Sequence, residues 1–445
     1  MKKIIATLAA ALTIACAQAQ GDGGRTLTLD LEKALEIALS GNPTIVVADM
    51  EVERIDWVRR ETLGNHLPTL SAGGQYAFNI VKQEMARGMS FGADMSAAVT
   101  GDLSVPLVVP AVYASLRLNR TQQALAVEQA RSSRIELVNA VTKAFYQTLL
   151  LERSFEVLRE SEATIAATVD NTREMFDAGL ASEYDLLTAE VQLSNLQPSI
   201  INTSNSIVIS KQMLRMYLGL PEDVEIALEG SLAGHLGETW AVPDPAAAID
   251  GNSELRQLDH QQTMVSQQIR LANAARLPVL QAYGSLIVTG QDQTMGFGLT
   301  PEGEMGVVST PKWWWQKPFS AGFQMSVPIF AGGRNTSKVK QLRNQVSQLE
   351  LQKDYLREAK ALEARTAVNN LISARETMTA NEKTVAQAEK AYAIARTRFD
   401  AGAGTMLEVN QAQLSVTQSR LNHSQAIYDL LAARADYDRV TGKEN

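Results

Sequence analysis

The chain carries the same set of short motifs twice, in the same order. Four pairs of motifs recur: Gly-Asn at 41–42 and 251–252, Leu-Pro at 67–68 and 277–278, Ser-Val-Pro at 104–106 and 326–328, and Phe-Asp-Ala-Gly at 176–179 and 399–402. Matches that keep their order over nearly the whole chain indicate one structural unit duplicated. We therefore predict a first repeat at 20–218, a linker or equatorial collar at 219–249, and a second repeat at 250–445. The shift between copies grows from 210 (277 − 67) to 222 (326 − 104), which places about twelve extra residues in one loop of the second copy.

Residues 1–19 are predicted to be a signal peptide. Lys2 and Lys3 precede an apolar run that ends at Cys16, and Ala17-Gln18-Ala19 fits the small-x-small cleavage rule. Cys16 is the only cysteine, and its position next to the site leaves a lipoprotein signal as the alternative. Cleavage after Ala19 leaves a mature chain without cysteine, so its stability comes from packing and assembly and not from disulfides.

The charge of the mature chain is acidic. The full sequence has 41 basic and 49 acidic side chains. Removal of Lys2 and Lys3 leaves 39 against 49, a formal charge of −10. This balance argues against nucleic acid as a partner. No later stretch of the sequence is apolar enough for a transmembrane helix.

Four segments alternate apolar and polar residues with the period of a β-strand. They form two predicted hairpins, at about 69–106 and about 279–328. Each run has about ten residues, the length of a tilted strand that crosses an outer membrane. An ordinary half-buried sheet gives the same alternation, but the predicted signal peptide favours membrane strands. Closed membrane barrels start at about eight strands, and open edges cannot be satisfied in lipid. Four strands therefore require an oligomer.

Long amphipathic helices flank both hairpins. The sequence predicts helices from about Leu31 to Leu63, from Pro110 to about Gly179, from about Glu183 to Leu218, and from about Asn335 to Ala401. The last of these has a seam with alternating steps of three and four: Ala364, Ala367, Leu371, Ala374, Met378, Asn381, Val385, Ala388, Tyr392, Ala395 and Phe399. Such a seam is typical of a coiled coil. A thin seam on so long a helix favours a curved wall of paired helices over a solid bundle.

With these features, the chain resembles the TolC-like family of bacterial outer-membrane efflux channels. The most specific motif is Val-Pro-Ile-Phe-Ala-Gly-Gly-Arg at 327–334, together with the two Leu-Pro motifs and the two Phe-Asp-Ala-Gly turns. The resemblance implies a mostly α fold with a small β part. Three copies would form a transmembrane β-barrel, four strands from each, continuous with a long α-helical barrel in the periplasm.

The resemblance also implies a function and its partners. Family members are the outer-membrane channel of a tripartite efflux or type I secretion system, a passive exit duct coupled through a periplasmic adaptor to an inner-membrane transporter. The expected chain is thus a homotrimer in outer-membrane lipid, with no cofactor, no metal and no enzyme activity. The alternative is a periplasmic coiled-coil adaptor protein of an efflux pump, which would lack the four alternating strands.

The resemblance assigns two groups of candidate site residues. Family members close the periplasmic end with acidic residues just after the helical turns, and the matching positions are Asp185 and Glu408. A second family acid matches Gln411, so the sequence departs from the pattern there. A helix-capping role for the two acids is the alternative, since carboxylates favour helix N-termini. The adaptor-docking tips correspond to Ala178, Gly179 and Leu180 in the first copy and to Ala401, Gly402 and Ala403 in the second.

Aromatic residues cluster in the longer loop of the second copy. Trp313, Trp314 and Trp315 follow one another there. Aromatic side chains favour the boundary between lipid and water, so surface anchoring is the preferred interpretation over ligand stacking. The residues leave open the exported substrate, the transporter class, and whether the resting tunnel is closed.

Overall fold

The computed structural model describes residues 25–81, 83–85, 89–91, 93–237, 251–292, 296–299, 303–308 and 313–443. The predicted signal peptide and residues 238–250 of the predicted linker lie outside these ranges. The described residues divide into two compact units. The first contains residues 25–50, 128–237, 251–256 and 355–443, and the second contains those of 51–127 and 257–354. Each unit therefore takes residues from both sequence repeats.

Helices make up most of the described residues. They are α1 (Leu31–Gly41), α2 (Pro43–Gly64), α3 (Pro110–Asp177), α4 (Glu183–Leu218), α5 (Ser253–Ala274), α6 (Arg334–Asp400) and α7 (Met406–Thr441). Helices α3 and α6 contain 68 and 67 residues, or on the order of 100 Å each at about 1.5 Å per residue. The prediction of a mostly helical fold with very long helices is confirmed. No helix among the described residues has an apolar stretch that could cross a membrane.

The prediction of a single helix from about Leu31 to Leu63 is wrong. Asn42 interrupts it with an extended backbone, φ −68° and ψ 127°. The next residue is Pro43, whose ring disfavours helical geometry in the residue before it. The Asn42 side chain then starts the second helix, because its Oδ1 accepts a hydrogen bond of 2.7 Å from the Thr44 amide.

Eleven strands are described: β1 (Arg25–Leu29), β2 (Thr69–Phe78), β3 (Gln83–Met85), β4 (Met89–Phe91), β5 (Met95–Val108), β6 (Val224–Leu228), β7 (Val279–Gln291), β8 (Gly296–Leu299), β9 (Met305–Val308), β10 (Trp314–Gln316) and β11 (Phe319–Ser326). Strand β1 pairs in parallel with β6 in the first unit. Strands β3 and β4, and β8 and β9, form small hairpins in the loops of the main sheet.

The core of the first unit is one cluster of buried apolar side chains. It draws on α1, α3, α4 and α7 together with β1 and β6, and includes Leu29, Ala38, Val141, Phe145, Leu214, Leu218, Ile226 and Leu431. A short 3-10 helix at Leu232–His235 contacts α7. The two repeats thus share one core on this unit.

A tight contact, here called the first junction, joins the end of α4 to the break between α1 and α2. Gly219 follows α4 with φ +68°. A Cβ at this position would lie 2.6 Å from the Gly41 carbonyl oxygen. The Asn42 side-chain amide donates a hydrogen bond of 2.7 Å to the Tyr217 carbonyl. Only glycine combines this φ with this close approach.

The second junction repeats the same contact between the end of α7 and the start of α5. Gly442 has φ +70°, and a Cβ there would lie 2.5 Å from the Gly251 carbonyl oxygen. The Asn252 side-chain amide donates to the Val440 carbonyl at 3.3 Å. An added contact comes from α3, where Arg131 donates to the Gly442 carbonyl at 2.7 Å.

The main sheet lies in the second unit and is antiparallel throughout. Strand β2 pairs with β5, and β5 pairs with β7. The other edge of β7 pairs with β11 and then with β10, which continue each other along that edge. The sheet is therefore four strands wide, and among the described residues its outer edges, β2 and β10/β11, have no further partner.

Cross-strand register sorts the side chains of this sheet by face. One face carries Leu70, Tyr76, Phe78, Val99, Leu103, Leu286, Val288, Phe319, Phe323 and Met325. The other is mostly polar and carries Ser71, Gln75, Ser96, Thr100, Asp102, Gln281, Ser285, Thr289, Ser320 and Gln324, together with Tyr283 and Ile287. The apolar side chains are exposed: Leu70 to 80%, Phe323 to 76% and Phe319 to 70%. An exposed apolar face of this extent needs an apolar partner or lipid.

Candidate functional site: the two helical turns

Two tight helical turns in the first unit carry the predicted site residues. Helix α3 passes into α4 through 178–182, and α6 passes into α7 through 401–405. Gly179 has φ +74° and Gly402 has φ +70°. In each turn the amide after the glycine donates to a carbonyl five residues earlier at 2.8 Å. The predicted docking residues are exposed at both tips: Ala178, Gly179, Leu180, Ala401, Gly402 and Ala403.

Asp185 forms part of a capping box at the start of α4. The Asp185 amide donates to Ser182 Oγ at 3.2 Å, and Asp185 Oδ2 accepts from the Ser182 amide at 3.2 Å. The Ser182 hydroxyl also donates to Oδ2 at 2.5 Å. These bonds satisfy amides that the first helical turn leaves free. The carboxylate is thereby held beside the tip and remains half-exposed.

Glu408 has the matching position at the start of α7. Its amide donates to Thr405 Oγ1 at 3.3 Å, and its Oε2 accepts from the Thr405 amide at 3.4 Å. Arg398 adds a contact that the first turn lacks, because Met175 stands at the equivalent position. Arg398 Nη1 lies 3.6 Å from Glu408 Oε2, and Nη2 donates to the Ala403 carbonyl at 3.1 Å.

One apolar cluster holds both turns in place. It takes side chains from α3, α4, α6 and α7: Ile165, Val169, Leu186, Ala189, Leu193, Leu196, Tyr392, Ala395, Phe399, Met406 and Val409. The structure therefore brings the two predicted tips to one end of the first unit. Asp185 and Glu408 each bond within their own turn, and Gln411 lies exposed on α7 beyond Glu408.

The capping partners and Arg398 are the site residues that were not predicted from sequence. The capping box has a readable signal, Ser or Thr followed three residues later by an acid. It is present at 182–185 and at 405–408. Arg398 has no such signal, because its contact with Glu408 depends on how the turn closes.

Solved structures of outer-membrane proteins share the fold of this chain. The chain superimposes on the outer membrane protein VceC from Vibrio cholerae with a TM-score of 0.71 and 15% identity, covering 93% of this chain and 96% of that one. The CmeC outer membrane channel of Campylobacter jejuni gives a TM-score of 0.75 and 14% identity, with 93% and 85% covered. At such identities the likeness establishes the fold alone. It is the fold of outer-membrane channels, in agreement with the predicted fold class.

The chain belongs to the outer membrane efflux protein family, whose model matches residues 34–220 and 245–443. It is 24% identical to the alkaline protease secretion protein AprF of Pseudomonas aeruginosa over 92% of this chain and 83% of that protein. Outer membrane protein TolC of Vibrio cholerae is 23% identical, and the match spans 66% of this chain and 65% of TolC. The predicted family, efflux-channel role and outer-membrane location are thus confirmed at the level of the family.

Proposed function

We propose that this chain forms a homotrimeric exit duct of a tripartite efflux or secretion system, with its main sheet in the outer membrane. The observation that carries the proposal is the sheet itself. Its exposed apolar face suits lipid, while its two outer edges, unpaired within the part of the chain that the structure describes, would be intolerable there. Three copies joined edge to edge would give 3 × 4 = 12 strands and would close the sheet.

Helix α4 supports assembly independently of the sheet. Large apolar side chains lie exposed along the side opposite its buried face, and we call this set the outer stripe: Tyr184, Leu187, Val191, Ile201, Val208, Ile209, Met213 and Met216. The stripe runs along most of a 36-residue helix. Exposed apolar surface of this extent marks a protein interface. We assign it to the neighbouring copy in the trimer.

The two helical turns are proposed to form the periplasmic end of the duct. The exposed tips would contact a periplasmic adaptor, and through it an inner-membrane transporter. Asp185 and Glu408 would form an acidic ring that narrows the opening, with Gln411 one turn farther along α7. The duct would be passive and would require no chemistry from the chain.

The test is single-channel conductance of the purified mature protein in planar bilayers. Asp185→Asn combined with Glu408→Gln removes both charges and keeps side chains that accept hydrogen bonds. A capping box accepts Gln in place of Glu. If the carboxylates restrict the opening, this double variant should conduct several-fold more than the wild type, and its preference for cations should fall.

Ser182→Ala combined with Thr405→Ala is the matched control. It removes the hydroxyl half of each cap and leaves both carboxylates, at a cost of about 1 kcal/mol for each helix. Higher conductance in the control alone would show that the turns close the duct through helix capping and not through charge. A monomer without conductance in every variant would contradict the duct itself.

A further inference from the structure

We propose that Trp315, held against Gly290 and stacked on Trp313, binds the headgroup boundary of the outer leaflet and sets the height of the sheet in the membrane. The inference rests on the proposed function, which places the apolar face of the sheet in lipid. It assigns the lipid contact to Trp315, which stacks on Trp313, and not to the neighbouring Trp314.

The register places Trp315 on the lipid-facing side. Trp315 pairs with Gly290, Gly290 with Ala97, and Ala97 with Tyr76. Directly paired residues of an antiparallel sheet share a face, so this row belongs to the apolar face. Tyr76 and Trp315 stand at its two ends and are 63% and 52% exposed. Amphipathic aromatic side chains of this kind concentrate at membrane boundaries.

Trp314 provides an internal contrast. It pairs with Gln291, which pairs with Ser96 on the polar face of the sheet. Trp314 and Trp315 are adjacent and almost equally exposed, at 51% and 52%. They nevertheless point to opposite faces. Of these two tryptophans, Trp315 is the one on the lipid-facing side of the sheet.

Trp315 is fixed in position by its neighbours. A Cβ on Gly290 would lie 2.8 Å from the Trp315 ring, so the indole covers the space above that glycine. Trp313 stacks on the same indole with ring centroids 6.0 Å apart and an interplanar angle of 22°. A side chain held by two neighbours loses little additional freedom on binding. Trp315 is therefore suited to define a fixed height.

The apolar face of the sheet is about as long as the apolar band of an outer-membrane barrel, if the membrane boundary lies at the Trp315 row. From Gly290 to Leu280, the last position of β7 on the apolar face, there are ten residue steps. At about 3.4 Å each they span about 34 Å along the strand. A tilt of about 40° reduces this to about 26 Å, against an apolar band of about 25 Å in outer-membrane barrels. The Trp315 row lies at the hairpin-loop end of the band, and helices α3 and α6 follow the strands at the other end.

The experiment measures the depth of single tryptophans. In proteins that keep only Trp315 or only Trp314, the other four tryptophans are replaced by Phe. A third protein lacks all five and carries Phe319→Trp, four residue steps into the band on the apolar face. Each is reconstituted in phosphatidylcholine vesicles brominated either near the headgroup or near the bilayer centre, and fluorescence quenching is compared.

We expect Trp315 to be quenched at least twofold more by bromine near the headgroup than by bromine at the centre. The indole introduced by Phe319→Trp should show the reverse order, and Trp314 should respond mainly to iodide in the water. Quenching at position 319 without quenching of Trp315 would overturn this inference and leave the duct intact. If position 319 is also unquenched, the sheet is not in lipid and the proposed function fails as well.

A second variant tests the support beneath Trp315 without replacing any tryptophan. Gly290→Ala, made in the otherwise wild-type protein, places a Cβ against the Trp315 indole and should displace it. The quenching of tryptophan fluorescence by bromine near the headgroup should therefore be weaker than in the wild type. Gly284→Ala is the matched control, on the same strand and face, where a Cβ would meet only Leu103 Cβ at 4.0 Å. Equal quenching in both variants would contradict a fixed Trp315. The comparison does not depend on the folding of the multiply substituted proteins.

Discussion

Glycines with the same backbone angle have different roles at different positions of this chain. Gly219 and Gly179 have φ +68° and φ +74°. A Cβ on Gly219 would collide with the backbone of Gly41, whereas a Cβ on Gly179 would meet nothing within 4 Å. The first position thus needs glycine for both conformation and space, and the second only for conformation.

This difference predicts the effect of adding a methyl group. Gly179→Ala should cost about 1–2 kcal/mol, the penalty for a left-handed residue with a Cβ. Gly219→Ala should cost about 1–3 kcal/mol more, because the methyl group also forces the packed junction apart. Thermal unfolding followed by helical circular dichroism measures both variants. Equal melting temperatures would contradict the close contact at the first junction.

At the residue level, the sequence identified the important positions more successfully than it identified the residues that they contact. The recurrence of Gly-Asn was visible at 41–42 and at 251–252, but its partners were not. Asn42 contacts Tyr217, 175 positions away, and Asn252 contacts Val440, 188 positions away. A local motif carries no information on so distant a partner. The acids at the tips were identified only through resemblance, while their capping partners lay within three residues.

The two junctions have diverged in chemistry although they share one geometry. The first is embedded in the apolar cluster that contains Leu214 and Leu218. The second is surrounded by ion pairs. The Nζ of buried Lys360 on α6 lies 2.6 Å from Glu254 Oε1 and 2.9 Å from Glu363 Oε2. Arg439 Nη2 on α7 lies 2.7 Å from Glu363 Oε1. Removal of one partner from such a network leaves an uncompensated charge.

Acid should therefore loosen the second junction selectively. Burial raises the pKa of Glu363, but hydrogen bonds from Lys360 and Arg439 lower it by more, and the net pKa lies below its ordinary 4.5. A carboxyl with a lowered pKa contributes stability above its unfolded pKa and loses it as pH falls through the folded value. Amide hydrogen exchange is itself slower in acid, so the quantity compared is the protection of each amide against its intrinsic exchange rate. We expect amides at 436–443 to lose protection below that pKa, relative to neutral pH.

The first junction is the control for this measurement. Amides at 214–219 should show only the general effect of pH on the exchange chemistry. The variant Glu363→Gln should remove most of the difference between the junctions, because a neutral side chain has no proton to gain in this range. An equal loss of protection at both junctions, in wild type and variant alike, would place the acid sensitivity elsewhere.

Sequence periodicity predicted the main sheet and the long helices because each pattern extends over many residues. It missed β1 at Arg25–Leu29, although Leu27 and Leu29 alternate with threonine there. Five residues are a weak signal, and the partner strand β6 begins at Val224. The helix break at Asn42 was also missed, although the following proline was visible. The apolar period continued across the break and concealed it.

At the level of the whole molecule, the outer stripe of α4 makes assembly testable without disturbing the main sheet. Ile201 is 57% exposed in one chain and belongs to the stripe. In a trimer that covers the stripe, Ile201→Asp would bury an unpaired charge at a cost of several kcal/mol. We expect this variant to sediment as a monomer in detergent. Ser199→Asp, two residues away and exposed outside the stripe, should remain a trimer.

The diverged tips have a further consequence for how the assembly can vary. In the proposed trimer of duplicated chains, the tip of the first repeat and the tip of the second repeat would alternate around the ring, three of each. Arg398 would then lie beside three of the six acids, whereas Met175 occupies the equivalent position in the other three tips. A substitution in one repeat would therefore change every second tip around the opening and leave the three tips between them unchanged.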